Sequence, residues 1–357
     1  MIDFTKFYKF ELSLGNRCNF RCKYCFEPHP ETSISKSDVT VDQLLRYAEF
    51  IKYMKDRRDP SWMYSVSAFG GETLLYLDPL YEFAKASKND ISELTITSNG
   101  TLVKSKTSSL LNFKKLLGPA FTIIISYDFC HQNQYRQANT YDSVRDSLRL
   151  LSGRKFSTIC ITVFDGETLP LAWERFQDFL QLLEEIPTLQ VKFNLSRNVG
   201  AFDNMNEDKA REALSKIQEY LIKYPELQNR FYYNPSFMYR NERLEDAFFG
   251  NVLLGMTLNG DIYPGYDVPF TNDFTRAALY IGNIADDFEK LHNKRSELLN
   301  TLHLDPPEKC IKCGSVCRVL PWARMNSSLS EYNMIPDEQH CYIHKLVSEY
   351  IPYKRKH

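Results

Sequence analysis

Seven of the nine cysteines lie in two groups, one near each end of the chain. The first group, in the stretch GNRCNFRCKYCFEP, has the spacing CxxxCxxC and consists of Cys18, Cys22 and Cys25. Closely spaced thiolates bind soft metals, as zinc sites or as iron–sulfur clusters. Structural zinc takes four protein ligands, and the nearby candidate for a fourth is His29, in a Pro-His-Pro turn. Three thiolates on a four-iron cluster leave one iron open, and an open metal position is what a cofactor or substrate needs.

The second group supplies four thiols, from Cys310, Cys313, Cys317 and Cys341. On spacing alone, zinc and an iron–sulfur cluster are comparable interpretations. Four thiolates close the coordination of either centre, so this group is suited to structure or electron transfer rather than to binding a substrate directly.

The composition indicates a globular protein, since 43% of the 357 residues are hydrophobic and 25% are charged. The formal net charge of -1 gives no electrostatic footprint for nucleic acid or for an anionic membrane. No apolar run approaches the roughly 18 residues of a membrane helix, and the N-terminal MIDFTKFYKFEL has no hydrophobic signal region. These features predict a cytoplasmic protein, a setting in which disulfides are rare.

Strand-like and helix-like runs alternate along the first part of the chain. The strand-like runs are FELSL (10–14), YSVSAF (64–69), ELTITS (93–98), FTIIIS (121–126), TICITVF (158–164) and VKFNLS (191–196). The helix-like runs are VDQLLRYAEFIKYM, LDPLYEFAKAS, SSLLNFKKLL, YDSVRDSLRLL and LAWERFQDFLQLLEEI. This alternation is typical of βαβ units. Six such units predict an α/β fold, a partial (β/α)6 TIM-like barrel.

Beyond the barrel the pattern changes. A charged helical stretch is followed by LGMTLNGDIYPGYD, in which Asn259-Gly260 predicts the turn of a β-hairpin. We therefore predict a barrel over residues 1–220 and a smaller C-terminal domain, with a hairpin and helices, over residues 221–357.

Polar and apolar residues alternate on three of the predicted strands. Successive side chains of a strand point to opposite faces, so each of these strands has one polar face. We expect the apolar set to face the helices and the polar set to line an interior that holds a ligand; the alternative is a flat sheet with one wet face. The polar set comprises Ser65, Ser67, Thr158, Cys160, Thr162, Lys192, Asn194 and Ser196.

Four motifs, in chain order, resemble those of the radical S-adenosylmethionine (radical SAM) superfamily. They are CNFRCKYCF (18–26), FGGET (69–73), TSNGT (97–101) and ISYDFCHQNQYR (125–136). Each lies at the end of a predicted strand, where barrel enzymes carry their sites. The resemblance covers roughly residues 8 to 200.

The resemblance implies that the first cysteine group holds a [4Fe-4S] cluster whose open iron binds SAM. In that family an electron from the cluster cleaves SAM to methionine and a 5′-deoxyadenosyl radical, which abstracts hydrogen from a substrate. The electron would come from a reductant such as flavodoxin or ferredoxin. The implied SAM contacts are Gly70, Gly71 and Glu72 at the amino group, Ser98 and Asn99 close by, Ser126 and Arg136 at the ribose and carboxylate, and Tyr24 near the adenine.

The C-terminal region is similar to the SPASM or Twitch extension of peptide-modifying radical SAM enzymes. It departs from the full SPASM pattern, because residues 255–256 and Gly265 stand around the hairpin where that pattern has cysteines. Residues 321–322, Pro-Trp, stand where a further cysteine would follow Cys317. The resemblance therefore implies a reduced extension with one auxiliary [4Fe-4S] cluster, held by the second cysteine group.

The implied substrate is a ribosomally synthesised peptide with a leader sequence, modified by crosslinking, as in a cyclophane or thioether, or by epimerisation. Cys160 is a candidate hydrogen donor and Asp267 a candidate base. A buried cysteine is more often a small hydrophobe, and an aspartate in a turn is more often a surface residue. The alternatives are a small-molecule radical SAM dehydrogenase, a protein- or cofactor-maturing enzyme, and a non-catalytic metal-binding interaction protein.

Overall fold

Most of the described strands form one sheet, and helices alternate with them along the chain. The computed structural model describes residues 7–25, 38–57, 62–196, 201–233, 253–264, 277, 279–301, 324–325, 334–335 and 338–351. The strands are β1 (Phe7–Ser13), β2 (Met63–Phe69), β3 (Glu93–Ser98), β4 (Phe121–Ser126), β5 (Ser157–Phe164), β6 (Val191–Leu195), β7 (Phe231–Tyr233), β8 (Leu253–Met256), β9 (Asp261–Tyr263), β10 (Gly282–Asn283), β11 (Arg324–Met325) and β12 (Met334–Ile335). The helices are α1 (Val41–Asp56), α2 (Leu77–Ser87), α3 (Thr107–Leu117), α4 (Gln132–Tyr135), α5 (Tyr141–Gly153), α6 (Ala172–Glu185), α7 (Glu207–Lys223), α8 (Phe288–Thr301) and α9 (Glu338–Tyr350).

The predicted α/β fold is confirmed, with the six predicted strands present as β1–β6 and helices between them. Helix α1 shows how the sequence specifies these elements. It begins at a capping box, in which the Gln43 amide N–H donates to Thr40 Oγ1 (3.2 Å) and the Thr40 N–H donates to Gln43 Oε1 (2.9 Å). One turn further, Tyr47 packs against Phe10 of β1, with ring centroids 5.9 Å apart. None of the described helices is long and apolar enough to cross a membrane.

The sheet has the strand order β10-β9-β8-β1-β2-β3-β4-β5-β6-β7. Strands β1–β7 pair in parallel with their neighbours, and β8 pairs in parallel with the other edge of β1. Among the described strands the sheet ends at β7 and β10, as expected for a partial barrel. The predicted hairpin is present as β8 and β9, with Gly260 in its turn at φ +83°. The boundary at residue 220 stays a prediction, and the strands on either side of it share this sheet.

Strand register separates the two faces of the sheet. Phe10 lies beside Val66, which lies beside Leu94, and all three are fully buried on the face that packs against helices. The opposite, inner face therefore carries Lys9 and Glu11 of β1 with the remaining polar residues of the neighbouring strands. That set includes Ser65, Ser67, Thr95, Thr97, Lys192 and Asn194. The prediction of a polar inner face is thus confirmed for β2 and β6.

The same prediction is wrong for β5. Cys160 lies beside Ile125 on one side and Val191 on the other, and all three are 0% exposed on the helix-facing side. Thr162 shares this face, and its hydroxyl is hydrogen-bonded by Arg175 of α6 at 2.9 Å. The half-buried Ile and Val residues of β5 line the inner face instead. Alternation of polar and apolar residues shows that a strand has two different faces, but it does not show which face is buried. A threonine whose hydroxyl is hydrogen-bonded and a small thiol are as compatible with the core as with a cavity.

Candidate metal and cofactor site

The three-cysteine loop follows β1 and is attached along its backbone to the end of β2. The Leu14 N–H donates to Phe69 O (2.9 Å), Gly71 N–H to Gly15 O (2.7 Å) and Glu72 N–H to Arg17 O (2.8 Å). A Cβ atom on Gly71 would lie 2.4 Å from the Arg17 carbonyl oxygen. The predicted glycine motif therefore allows a close approach between two protein segments, and this approach positions the cysteines.

The three thiols lie on a short, partly exposed loop. Cys18 and Cys22 are half-buried, Cys25 is exposed, and none of them forms a disulfide. The Cys25 N–H donates to Cys22 O at 3.2 Å, and the Phe20 N–H donates to Cys18 Sγ at 3.4 Å. Burial raises the pKa of Cys22, while the Arg136 guanidinium acts to lower it. A soft metal centre is suited to this set, because coordination stabilises thiolates that burial alone disfavours.

The buried carboxylate of Glu72, in the FGGET motif, is hydrogen-bonded by residues of the TSNGT motif. Its Oε1 atom accepts hydrogen bonds from Ser98 Oγ (2.8 Å) and from the Leu74 N–H (2.9 Å), and Oε2 accepts from the Asn99 N–H (2.8 Å). The side chain is 1% exposed, and burial raises its pKa. The ends of β2 and β3 are thereby held together next to the cysteine loop.

A second link, which the sequence did not indicate, runs through a residue between the cysteines. Asn99 Nδ2 donates to Asn19 Oδ1 at 2.8 Å, and Asn19 Nδ2 donates to Thr101 Oγ1 at 2.9 Å. Asn19 thus fastens the loop to the end of β3. It lies between Cys18 and Cys22, within the cysteine motif.

Tyr24 and Arg136 meet on the other side of the loop. The Tyr24 hydroxyl donates to Asp128 Oδ2 and accepts from Arg136 Nη1 at 3.0 Å. Tyr24 is buried, which raises its pKa, so the phenol keeps its proton. Arg136 Nε is buried without a hydrogen-bond partner among the described residues. The site thus holds an unused cationic donor, as a carboxylate-bearing cofactor requires.

Other predicted site residues lie apart from this group or outside the described residues. Ser126 ends β4 on the inner face, beside Ile161. Cys160 lies in the core with its thiol 4.0 Å from Tyr127 O, so the expectation that it points into the barrel is wrong and its hydrogen-donor role loses its basis. Asp267, Cys310, Cys313 and Cys317 lie outside the described residues; Cys341 lies in α9, but its side chain is outside them as well.

Cys130, His131 and Glu174 form a cluster that the sequence did not predict. Cys130 Sγ lies 3.5 Å from His131 Nδ1, and His131 Nε2 lies 3.0 Å from a Glu174 carboxylate oxygen. Burial and the nearby Arg175 lower the pKa of His131, and burial raises that of Cys130 to about 11. The imidazole is therefore neutral and the thiol protonated near neutral pH. The cluster is satisfied internally, and the positive charge of Arg175 disfavours a cation there.

The three thiols, the close approach at Gly71 and the partly buried Arg136 guanidinium fit the cluster and cofactor that the motifs imply. Residues 12–183 match the model of the family described as the radical SAM superfamily. The chain contains a radical SAM domain.

Two curated relatives share parts of this sequence. GTP 3′,8-cyclase from Campylobacter lari is 26% identical over 221 residues, which are 59% of this chain and 63% of the cyclase. Radical SAM cyclopropyl synthase TigE from Paramaledivibacter caminithermalis is 24% identical over 225 residues, 55% of this chain and 46% of the synthase. The chain therefore spans less than two thirds of the length of each of these two relatives.

The fold is shared with solved structures along nearly the whole chain. Native anSMEcpe with bound AdoMet superposes with a TM-score of 0.68 at 17% identity and covers 96% of both chains. Streptococcus suis SuiB bound to its precursor peptide SuiA superposes with a TM-score of 0.58 at 15% identity, over 93% of this chain and 75% of SuiB. At these identities the likeness establishes the fold.

Proposed function

We propose that this radical SAM protein abstracts hydrogen from a ribosomally synthesised peptide and so starts a crosslink, a cyclophane or thioether, or an epimerisation. The observation that carries the proposal is the attachment of one three-cysteine loop to the ends of β2, β3 and β4, with Arg136 presented beside it. When bound, a [4Fe-4S] cluster and SAM supply the radical that removes hydrogen.

Each part of the site has a task toward these groups. Cys18, Cys22 and Cys25 hold the cluster and leave one iron for SAM. Arg136 offers a charge-assisted hydrogen bond to the SAM carboxylate, since its Nε has no partner among the described residues. Glu72, through its bonds to Ser98 and Asn99, keeps the strand ends in the spacing that SAM needs. Ser126 and Tyr24 remain proposed contacts of the ribose and the adenine.

The inner face of the sheet supports a polar substrate. The Lys9 ammonium and the Glu11 carboxylate form an ion pair at 2.8 Å, and Ser65 and Ser67 lie beside these two residues on β2. A peptide backbone presents amides that such a face can hydrogen-bond. The likeness to SuiB, whose structure contains a precursor peptide, supports the same class of substrate.

An auxiliary [4Fe-4S] cluster held by Cys310, Cys313, Cys317 and Cys341 belongs to the proposal. Helix α9, which carries Cys341, is attached to α7, because the Tyr342 hydroxyl accepts from Arg211 Nη2 at 2.6 Å and donates to Glu207. Ile343, Leu346 and Val347 of α9 are themselves buried. The attachment of α9 to α7 supports this part of the proposal, because an electron-transfer cluster needs a fixed position.

A small-molecule substrate is the second candidate. It is favoured by the relative from C. lari, which is a GTP 3′,8-cyclase. The same cluster and SAM site would serve either substrate class. Assays with a peptide and with a small molecule are therefore needed to distinguish the two candidates.

The experiment is anaerobic reconstitution, with iron and sulfide counted and 5′-deoxyadenosine assayed after adding SAM and dithionite. We expect about eight irons per chain and 5′-deoxyadenosine formation, both reduced in a variant with alanine at Cys18, Cys22 and Cys25. Iron content unchanged in Cys310→Ala would contradict the auxiliary cluster. Product formation with GTP, and none with peptides encoded beside the gene, would favour the small-molecule candidate. An iron-replete chain that never cleaves SAM would favour a non-catalytic metal-binding protein.

A further inference from the structure

A fully buried ion pair lies behind the part of the site formed by β4 and β5. Asp128 and Arg175 are both 0% exposed, and Arg175 Nη1 lies 3.1 Å from Asp128 Oδ1. Desolvation of two charges often offsets what their attraction contributes, so such a pair is weak evidence for stability. In some proteins it fixes one particular conformation instead. The partners of this pair indicate which conformation that is.

Asp128 connects two parts of the chain that are not paired as strands. Its Oδ1 atom accepts hydrogen bonds from the Val163 N–H (3.1 Å) and the Thr162 hydroxyl (3.2 Å), both in β5. Its Oδ2 atom accepts from the Tyr24 hydroxyl, in the cysteine loop. Arg175 adds a bond to the Val163 carbonyl oxygen at 2.6 Å, so the carboxylate is fixed from the β5 side.

The Tyr24 hydroxyl links the fixed Asp128 carboxylate to Arg136. A phenol has one proton, and Tyr24 donates it to Asp128, so its oxygen is left to accept from Arg136 Nη1 at 3.0 Å. The Arg136 guanidinium carbon also lies 5.8 Å from the centre of the Tyr24 ring. The backbone adds one more link, because the Lys23 N–H donates to Tyr135 O at 2.9 Å.

We propose that Arg175 is a positioning residue for SAM, acting through Asp128 and Tyr24 to aim the Arg136 guanidinium at the SAM carboxylate. The proposal rests on the function proposed above. Arg175 lies on α6, behind β5, and does not touch the cofactor itself. Its effect is to hold the Asp128 carboxylate where the Tyr24 proton needs it.

The test uses the full chain, reconstituted with iron and sulfide, and compares Arg175→Met and Arg175→Lys with the wild type. We expect Arg175→Met to weaken SAM binding about tenfold or more, the effect of losing one charged hydrogen-bond partner. The cluster should remain, by iron count, but the change that SAM causes in its EPR spectrum should shrink. Arg175→Lys should restore part of both, because it returns a cation to Asp128.

Arg145 provides the matched control. It also pairs with carboxylates of α6, Asp178 at 3.4 Å and Glu185 at 2.6 Å. It does not belong to the series of hydrogen-bonded side chains that runs from Arg175 to Arg136. Arg145→Met should leave SAM affinity and the EPR change as in the wild type. Equal weakening in both methionine variants would overturn the proposal, because it would reflect general destabilisation.

A second variant keeps the test decisive if Arg175→Met does not fold. Tyr24→Phe removes only the hydroxyl between Arg136 and Asp128 and leaves the ion pair intact, and we expect the same loss of SAM affinity with the cluster retained. Wild-type affinity and an unchanged EPR response in either folded variant would overturn the positioning role alone. A wild-type chain that carries its cluster but binds no SAM would overturn the proposed function as well, and these two failures are distinguished by the wild-type measurement.

Discussion

Two buried carboxylates mark the two sides of the site, and they are stabilised differently. Glu72 accepts from one hydroxyl and two backbone N–H groups, and no cation of the described residues lies within ion-pair distance of it. Asp128 faces the guanidinium of Arg175. Neutral donors compensate a buried charge only in part, so burial raises the pKa of Glu72. The β2–β3 side of the site therefore depends on backbone geometry, whereas the β4–β5 side depends on paired charge.

The largest effect is expected where a charge is left alone. Arg175→Met should lower the free energy of unfolding by about 3–5 kcal/mol, because it strands the Asp128 carboxylate in the core. The double variant Asp128→Asn/Arg175→Met should recover most of that loss, since neither charge remains. Urea denaturation of matched preparations measures both. A double variant as unstable as the single one would mean that packing, rather than charge, holds this side together.

Backbone contact is tested at Gly71. Gly71→Ala places a Cβ 2.4 Å from the Arg17 carbonyl oxygen, so the cysteine loop has to move. We expect a loss of stability of about 1–3 kcal/mol, typical of overpacking, together with less iron retained per chain. Gly153→Ala, at the end of α5 with nothing within 4 Å of the added Cβ, is the control and should retain iron as the wild type does. Full iron retention in Gly71→Ala would show that the close approach is dispensable.

The pH dependence of stability tests Glu72 itself. Its pKa in the folded chain is raised above the usual 4.5, so the folded state keeps a proton that the unfolded state has released. That contribution is present below the unfolded-state pKa and is lost as pH rises through the folded-state pKa. Relative to Glu72→Gln, the wild type should therefore lose stability as pH increases from acid to neutral values. Parallel curves for the two proteins, measured by urea denaturation across that range, would contradict the assignment.

The smallest effect is expected at a surface carboxylate, which sets the lower limit of the comparison. Hydrogen bonds from Arg149 and Arg145 lower the pKa of Glu185 to about 2. Its stabilisation is present above the unfolded-state pKa and is lost as pH falls toward about 2. Glu185→Gln should change the unfolding midpoint only slightly at neutral pH and not at all in high salt, because solvent screens exposed pairs. A large loss of stability in Glu185→Gln that does not depend on salt would show that the ion pairs of Glu185 behave like a buried pair.

The convergence of Glu72, Ser98 and Asn99 was predictable from sequence, because the carboxyl ends of neighbouring parallel strands meet at one edge of a sheet. The same rule placed the cysteine loop and Arg136 nearby. These predictions needed only strand order and the motif that follows each strand. The difference in how Glu72 and Asp128 are stabilised was not predictable from strand order and motifs. It depends on which hydrogen-bond donors lie next to each carboxylate oxygen in the folded chain.

Where sequence reasoning was wrong or silent, a contact distant in sequence decided the outcome. The face of Cys160 follows from its pairing with β4 and β6, and alternation within β5 is the same for either orientation. Arg175 looks like any charged residue in an amphipathic helix, yet it is 0% exposed because Asp128 lies within reach. Asn19 was overlooked because its partner, Asn99, belongs to another motif.

The pairing of β1 with both β2 and β8 has a consequence for biosynthesis. On one edge, β1 pairs with β2, which is synthesised soon after it. On the other edge, β1 pairs with β8 (Leu253–Met256), which is synthesised more than two hundred residues later. At about 5–20 residues per second of translation, the second edge of β1 stays open for roughly ten seconds or more. An open edge is a template for pairing with other chains, and this one leads directly into the cysteine loop. Until the hairpin emerges from the ribosome, the nascent chain therefore exposes an unpaired edge at the strand that leads into its proposed metal ligands.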